Sequence, residues 1–175
     1  KGIAAVVRAD VARDVAALRE RGVVPGLTVV FVGDDIASAT YVGAKEKASR
    51  EAGMAGGTIR LPADTTQAAM LALIEQLNGD AAVHGILVQM PLPKQIDANT
   101  ILRAIDPAKD VDGLHVENIG RLVSGLPGMV PCTPLGYPLS PWIAQPISGV
   151  HAVPTLAHAM TAIARVNNMQ RTWRQ

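Results

Sequence analysis

Tyr41 and Lys45 stand four positions apart in SATYVGAKEKASREAG, so a helix formed there carries a phenol and an amine on one face. A lysine facing a pocket beside a phenol is desolvated, and such an amine can exchange a proton near neutrality. The segment also reads as an ordinary surface helix, because Glu46, Lys47 and Arg50 are solvent-type residues. Gln89 lies near the end of the apolar run VHGILVQM. Its amide both donates and accepts, so it can orient a neighbour or be satisfied by loop backbone. Pro91 and Pro93 stiffen the exit from that run. Asp112, in KDVDG, can hold a guanidinium-like ligand edge through paired hydrogen bonds, or serve its own turn; Asp110 shares this ambiguity.

Other reactive residues carry less. His84 falls inside an apolar run and reads as a satisfied core or edge residue. His115, His151 and His158 form no HExxH or similar array, so no catalytic metal is expected. Cys132, between Pro131 and Thr133, reads as packed rather than nucleophilic, and Ser124 and Ser148 lack a nucleophile-elbow setting.

The elements that must position these residues follow from periodicity. VARDVAALRER repeats Val11, Val15 and Leu18 at helical spacing, with Gly22 as its stop. Residues 27–33, LTVVFVG, read as a buried strand, followed by a helix from Ser38 as N-cap to Gly53 as C-cap. A weaker strand, TIRL, covers 58–61. The helix TTQAAMLALIEQLNG aligns Met70, Leu73, Ile74 and Leu77, and residues 83–90 give the strongest strand pattern. This alternation predicts an α/β fold: three layers, with a mostly parallel sheet flanked by helices. Ligands of such sheets bind beyond the carboxyl ends of the strands, where Asp34, Asp35, Gln89 and Lys94 lie. After residue 94 a short helix around NTILRAI leads into turn-rich sequence. Residues 137–154 contain four prolines and no persistent period, and a helical pattern with Leu156, Met160 and Ile163 resumes at Thr155. No G-x-G-x-x-G or Walker loop occurs.

With 49% hydrophobic and 18% charged residues, the 175-residue chain is expected to fold around a real core. Aromatics make up only 3%, so Val, Leu, Ile, Ala and Met must fill that core. Sixteen basic against fifteen acidic residues give no case for nucleic-acid binding. One cysteine excludes an internal disulfide and favours an intracellular, cytoplasmic protein. No apolar run is long enough to span a membrane, and the start, KGIAAVVRADV, does not read as a signal peptide. The absence of an initiator Met reads as processing or as a fragment.

VVFVGDDIASATYVGAKEKASREAGM, LPADTT, HGILVQMPLPKQID, IDPAKDVDGLHVENIGRL and PCTPLG follow one another in an order that resembles the methylenetetrahydrofolate dehydrogenase/methenyltetrahydrofolate cyclohydrolase family, from about residue 3 to 136. The resemblance implies a folate-binding catalytic domain beside a Rossmann-type NADP or NAD domain, with a tetrahydrofolate derivative as substrate. It implies Lys45 as the catalytic lysine, Tyr41 as the tyrosine stacking on the folate, and Gln89 as the lysine's assistant. Asp112 then holds the pterin, Ser38 is a polar neighbour of Tyr41, and Pro131, Thr133 and Pro134 fall at the link to the cofactor domain. A homodimer is also consistent with the family.

Beyond PCTPLG the sequence departs from the family pattern. Residues 1–136 are expected to form the catalytic domain, 137–154 a Pro-rich bridge where the cofactor domain would stand, and 155–175 a closing helix. Either the cofactor domain is deleted or replaced, or an intervening segment is left out of this sequence. A second Rossmann-type domain is not evident, cofactor-binding residues are unknown, and the cyclohydrolase half of the activity is the more plausible. The alternative is a catalytically weak or idle folate-binding remnant.

Overall fold

The computed structural model describes residues 2–129. Eight elements follow in order: α1 (Gly2–Glu20), β1 (Gly26–Val32), α2 (Ile36–Glu51), β2 (Ala55–Leu61), α3 (Gln67–Gly79), β3 (Gly85–Val88), α4 (Ala98–Ala104) and α5 (Val116–Val123). The strands form one parallel sheet in the order β2-β1-β3. The chain steps from β1 outward to β2, then crosses back over β1 to β3. Opposite crossover directions place the connecting helices on opposite faces.

The core divides accordingly. Leu27, Val29 and Phe31 of β1 pack with Val11, Val15 and Leu18 of α1 and Val42 of α2. Val30 and Val32 face the other way, onto Met70, Ile74 and Leu77 of α3 and Ile101 of α4. β1 is buried at all seven positions because it is central and covered on both sides. Three layers around a parallel sheet are the α/β architecture that the sequence predicts.

Several boundaries differ from the sequence expectation. β2 starts at Ala55 rather than Thr58, since Ala55, Gly56 and Gly57 lack strand-forming side chains but pair in register with Gly26, Leu27 and Thr28. Gly56 has φ +104, and a Cβ there would collide with the Leu27 carbonyl, so only glycine fits. β3 covers only Gly85–Val88, which leaves His84 just outside the strand. His84 is satisfied nonetheless: its Nδ1 accepts the Gly26 N–H at 3.1 Å. α2 begins two residues before Ser38. Its N-cap is Asp35, and its C-cap is Ala52, followed by Gly53 at φ +82.

α5 has no counterpart in the sequence reading. It buries Asn118 while leaving Val116, Ile119 and Val123 exposed, so its pattern is inverted relative to an ordinary core-facing helix. The bridge at 137–154 and the helix from Thr155 lie outside the described residues. So do Pro131, Cys132, Thr133, Pro134, Ser148, His151 and His158.

Candidate active site

The Asp35 carboxylate accepts the Ser38 N–H at 2.7 Å, closing the first turn of α2. These hydrogen bonds from Ser38 hold the Asp35 carboxyl below its ordinary range. From that fixed start the helix turns Ser38, Val42, Lys45 and Ser49 inward, all buried. Tyr41 lies between Ser38 and Lys45 on the flank of this face and is half-buried. Ser38, Tyr41 and Lys45 therefore share one side of α2 as their spacing predicts; of the residues behind the surface-helix reading, Lys47 and Arg50 are exposed and Glu46 is half-buried.

Gln89 directly follows β3. Its backbone N–H donates to Val30 O at 2.8 Å, continuing the pairing with β1 beyond the strand's end. Its side chain is 2% exposed and reaches α2: Lys45 Nζ donates to Gln89 Oε1 at 3.0 Å. Gln89 Nε2 donates to Met90 O at 2.7 Å, so the amide is gripped at both ends and its orientation is set. The Met90–Pro91 peptide is cis. Lys45 is 7% exposed, a degree of burial at which a lysine amine needs hydrogen-bonding partners such as Gln89.

Asp112 is placed by the segment that joins the sheet beside β3. Ile86 N donates to Lys109 O at 2.7 Å, and Ile86 pairs with Asp110 in a parallel bridge. The chain turns directly after that bridge, with Asp112 inside the turn and Gly113, at φ +65, closing it through its N–H to Asp110 O. Asp110, read as ambiguous from sequence, is 2% exposed and hydrogen-bonded within the protein. Sequence reasoning underrated it; the signal it offered was its place two residues before Asp112 and eight before Asn118.

The carboxyl ends of β1 and β3 are the topological switch point of this sheet, the place where sheets of this kind bind their ligands. Lys45, from the helix after β1, and Gln89, after β3, meet there. A separate cavity of about 240 Å³ lies towards the opposite end of the strands, over Leu27 and Val29, beside Ser49 and Arg50. It takes no part in the Lys45–Gln89 pair. Among the described residues no group of histidine, cysteine or carboxylate side chains is arranged to hold a metal ion. None of the described helices is long and apolar enough to cross a membrane.

A nucleotide cofactor finds no fit among the described residues. In a mononucleotide-binding unit, pyrophosphate rests on the helix N-terminus after the first strand. Here Asp34 and Asp35 occupy that turn, and the Asp35 carboxylate already takes the Ser38 N–H.

The family model "Tetrahydrofolate dehydrogenase/cyclohydrolase, catalytic domain" matches residues 1–112, well over half the chain. The chain belongs to this family. It is 60% identical over 137 residues to the bifunctional protein FolD of Cereibacter sphaeroides, covering 78% of this chain and 46% of that protein. Among solved structures it resembles the bifunctional FolD methylenetetrahydrofolate dehydrogenase/cyclohydrolase of Campylobacter jejuni. That match has 44% identity and a TM-score of 0.76, over 78% of this chain and 49% of that one. The Trypanosoma brucei methylenetetrahydrofolate dehydrogenase-cyclohydrolase, solved with NADP and an inhibitor, is 36% identical with a TM-score of 0.72, over 76% of this chain and 46% of that one. The chain spans about half the length of the curated relatives it matches.

Proposed function

We propose that this chain binds a tetrahydrofolate derivative at the switch point and hydrolyses the 5,10-methenyl form to 10-formyltetrahydrofolate. The observation that carries this reading is the buried Lys45 Nζ–Gln89 Oε1 contact at 3.0 Å, placed where a parallel sheet binds its ligands. Family membership supplies the substrate class.

In the hydrolysis, water adds to the amidinium carbon of the methenyl group, and one carbon–nitrogen bond then breaks. The neutral Lys45 amine takes a proton from the attacking water and delivers it to the departing nitrogen, while the added hydroxyl releases its remaining proton to solvent as the formyl C=O forms. Gln89 Oε1, itself fixed through Met90 O, accepts a hydrogen bond from Lys45 Nζ and so aims the amine. Tyr41, one turn before Lys45, lies against the substrate ring, with Ser38 beside it. Asp112 accepts hydrogen bonds from the pterin edge, and Pro131 completes the substrate contacts.

The dehydrogenase half of the family activity needs NADP or NAD held against the folate carbon, and the described residues offer no cradle for it. No hydride step is assigned to them. The domain division at 1–136, 137–154 and 155–175 is proposed on the same basis, as are a cytoplasmic location and a homodimer; sedimentation at micromolar concentration tests the last.

The test is turnover of 5,10-methenyltetrahydrofolate by the 175-residue chain, compared with buffer alone, together with titration by a reduced folate. Saturable hydrolysis above the buffer rate supports the reading. Binding without turnover would assign a folate-binding remnant instead, and neither would remove folate from the account.

A further inference from the structure

Asp110 and Asn118 form a buried pair that the proposed chemistry does not use. Asp110 is 2% exposed and Asn118 3%. One carboxylate oxygen, Oδ2, accepts two hydrogen bonds: from the His115 N–H at 2.7 Å and from Asn118 Nδ2 at 2.9 Å. Asn118 Nδ2 also donates to Pro107 O at 2.9 Å. His115 is the N-cap of α5, so the carboxylate lies at the positive end of that helix and accepts the N–H of its N-cap residue. The three contacts tie both ends of the 107–118 segment together, and Asp112 lies within it.

The start of the same segment is pinned from the other side. Lys109 Nζ donates to Leu77 O at 3.0 Å, Asn78 O at 2.6 Å and Asp80 O at 2.9 Å, the carbonyls at the end of α3. Lys109 O holds Ile86 of β3. Gly113 N donates to Asp110 O at 3.2 Å, which closes a turn with Asp112 inside it. Asp112 is therefore carried on a six-residue arch, 110–115, whose two feet are joined through one buried carboxylate oxygen.

We propose that Asp110, with Asn118, is a positioning residue for the pterin-binding edge: it acts through Asp112 and touches no substrate itself. The proposal rests on the folate reading above. Burying a carboxylate is costly, and two charge-assisted hydrogen bonds offset that cost only while the arch keeps its shape. Loosening the pair frees Asp112 to sample orientations that no longer match the ligand edge, which weakens binding. The Lys45–Gln89 pair stands on α2 and the end of β3, so the proton chemistry of bound substrate is left intact.

The experiment compares Asp110→Ala, Asn118→Ala and the conservative Asp110→Asn in the full chain, by kcat and KM for 5,10-methenyltetrahydrofolate. Each alanine variant is expected to raise KM about tenfold with kcat within about twofold, as for loss of a hydrogen bond that orders the site. In Asp110→Asn the amide oxygen takes the place of Oδ2 and accepts from both the His115 N–H and Asn118 Nδ2, so KM is expected to stay within about threefold of the parent. A role confined to stability lowers the melting temperature and leaves KM alone. Unchanged KM in both alanine variants, or an Asp110→Asn variant no better than Asp110→Ala, overturns the proposal. Should Asp110→Ala fail to fold, Asn118→Ala, which keeps the 2.7 Å contact to His115, carries the test. If the parent chain neither binds nor turns over a folate, the folate reading fails separately. The arch is then read from amide exchange at Gly113 and His115, expected to quicken about tenfold in Asn118→Ala. Unchanged exchange there overturns the proposal.

Discussion

Lys45 and Gln89 are 44 positions apart in sequence, and their side chains meet out of solvent with Nζ 3.0 Å from Oε1. One comes from the inner face of α2 and the other from the residue after β3, so the pair exists only once β1 and β3 have aligned. Fold and site are thereby joined: the same register that buries Val30 also sets Gln89, whose N–H donates to Val30 O.

Gln89→Leu removes the acceptor from the buried Lys45 amine while keeping the side chain's bulk. The expected cost is about 1–3 kcal/mol in unfolding free energy, read from urea denaturation. A variant as stable as the parent would mean that the 3.0 Å contact contributes nothing net.

Asp112→Ala is expected to weaken binding of a reduced folate about tenfold or more, because a carboxylate hydrogen bond to the pterin edge is lost. Isothermal titration reads this directly. Equal dissociation constants for variant and parent would remove Asp112 from the site.

Asp35→Ala is expected to destabilise the protein at neutral pH, since α2 loses the side chain that accepts the Ser38 N–H. The Asp35 carboxyl titrates below its ordinary value in the folded protein, through its hydrogen bonds from Ser38. Its contribution is thus fully present above the unfolded-state value and is lost as pH falls through the lower folded value. Equilibrium unfolding across that range should show the gap between parent and variant closing in acid. A gap that stays constant would mean that the ionised cap is not what holds the turn.

How much of this was legible in the sequence depends on where each residue's constraint comes from. β1 reads clearly because burial on both faces demands an unbroken apolar run, and LTVVFV supplies one. β2 reads short because Gly56 is required by close approach to β1, a constraint invisible without the partner strand, and Gly57 offers no strand-forming side chain. The α2 boundary is misread by three residues because both Asp35 and Ser38 are good caps, and the structure shows Ser38 as the donor to Asp35. α5 is hidden because its buried residue is Asn118 and its apolar residues face outward. The shared face of Tyr41 and Lys45 follows from helical spacing. The meeting of Lys45 with Gln89, and the burial of Asp110, are tertiary facts that no local pattern carries.

Ser49 Oγ is buried on the inner face of α2 with no hydrogen-bond partner among the described residues. Ser49→Ala is expected to raise stability by about 1 kcal/mol, since it removes an unsatisfied hydroxyl at little loss of volume. Lower stability, measured by urea denaturation, would mean that the hydroxyl has a partner, such as water in the adjoining cavity of about 240 Å³.

The most direct test of the central claim is the turnover of 5,10-methenyltetrahydrofolate by Lys45→Met, measured beside the parent at saturating substrate with folate binding confirmed for both. Methionine keeps much of the buried aliphatic stem and removes the amine. The account predicts a fall in kcat of about 10²-fold or more, the usual contribution of a positioned acid–base group, with the dissociation constant for a reduced folate changed far less. Full turnover in a variant that binds folate normally would contradict it, and the proton chemistry would have to be placed on another residue.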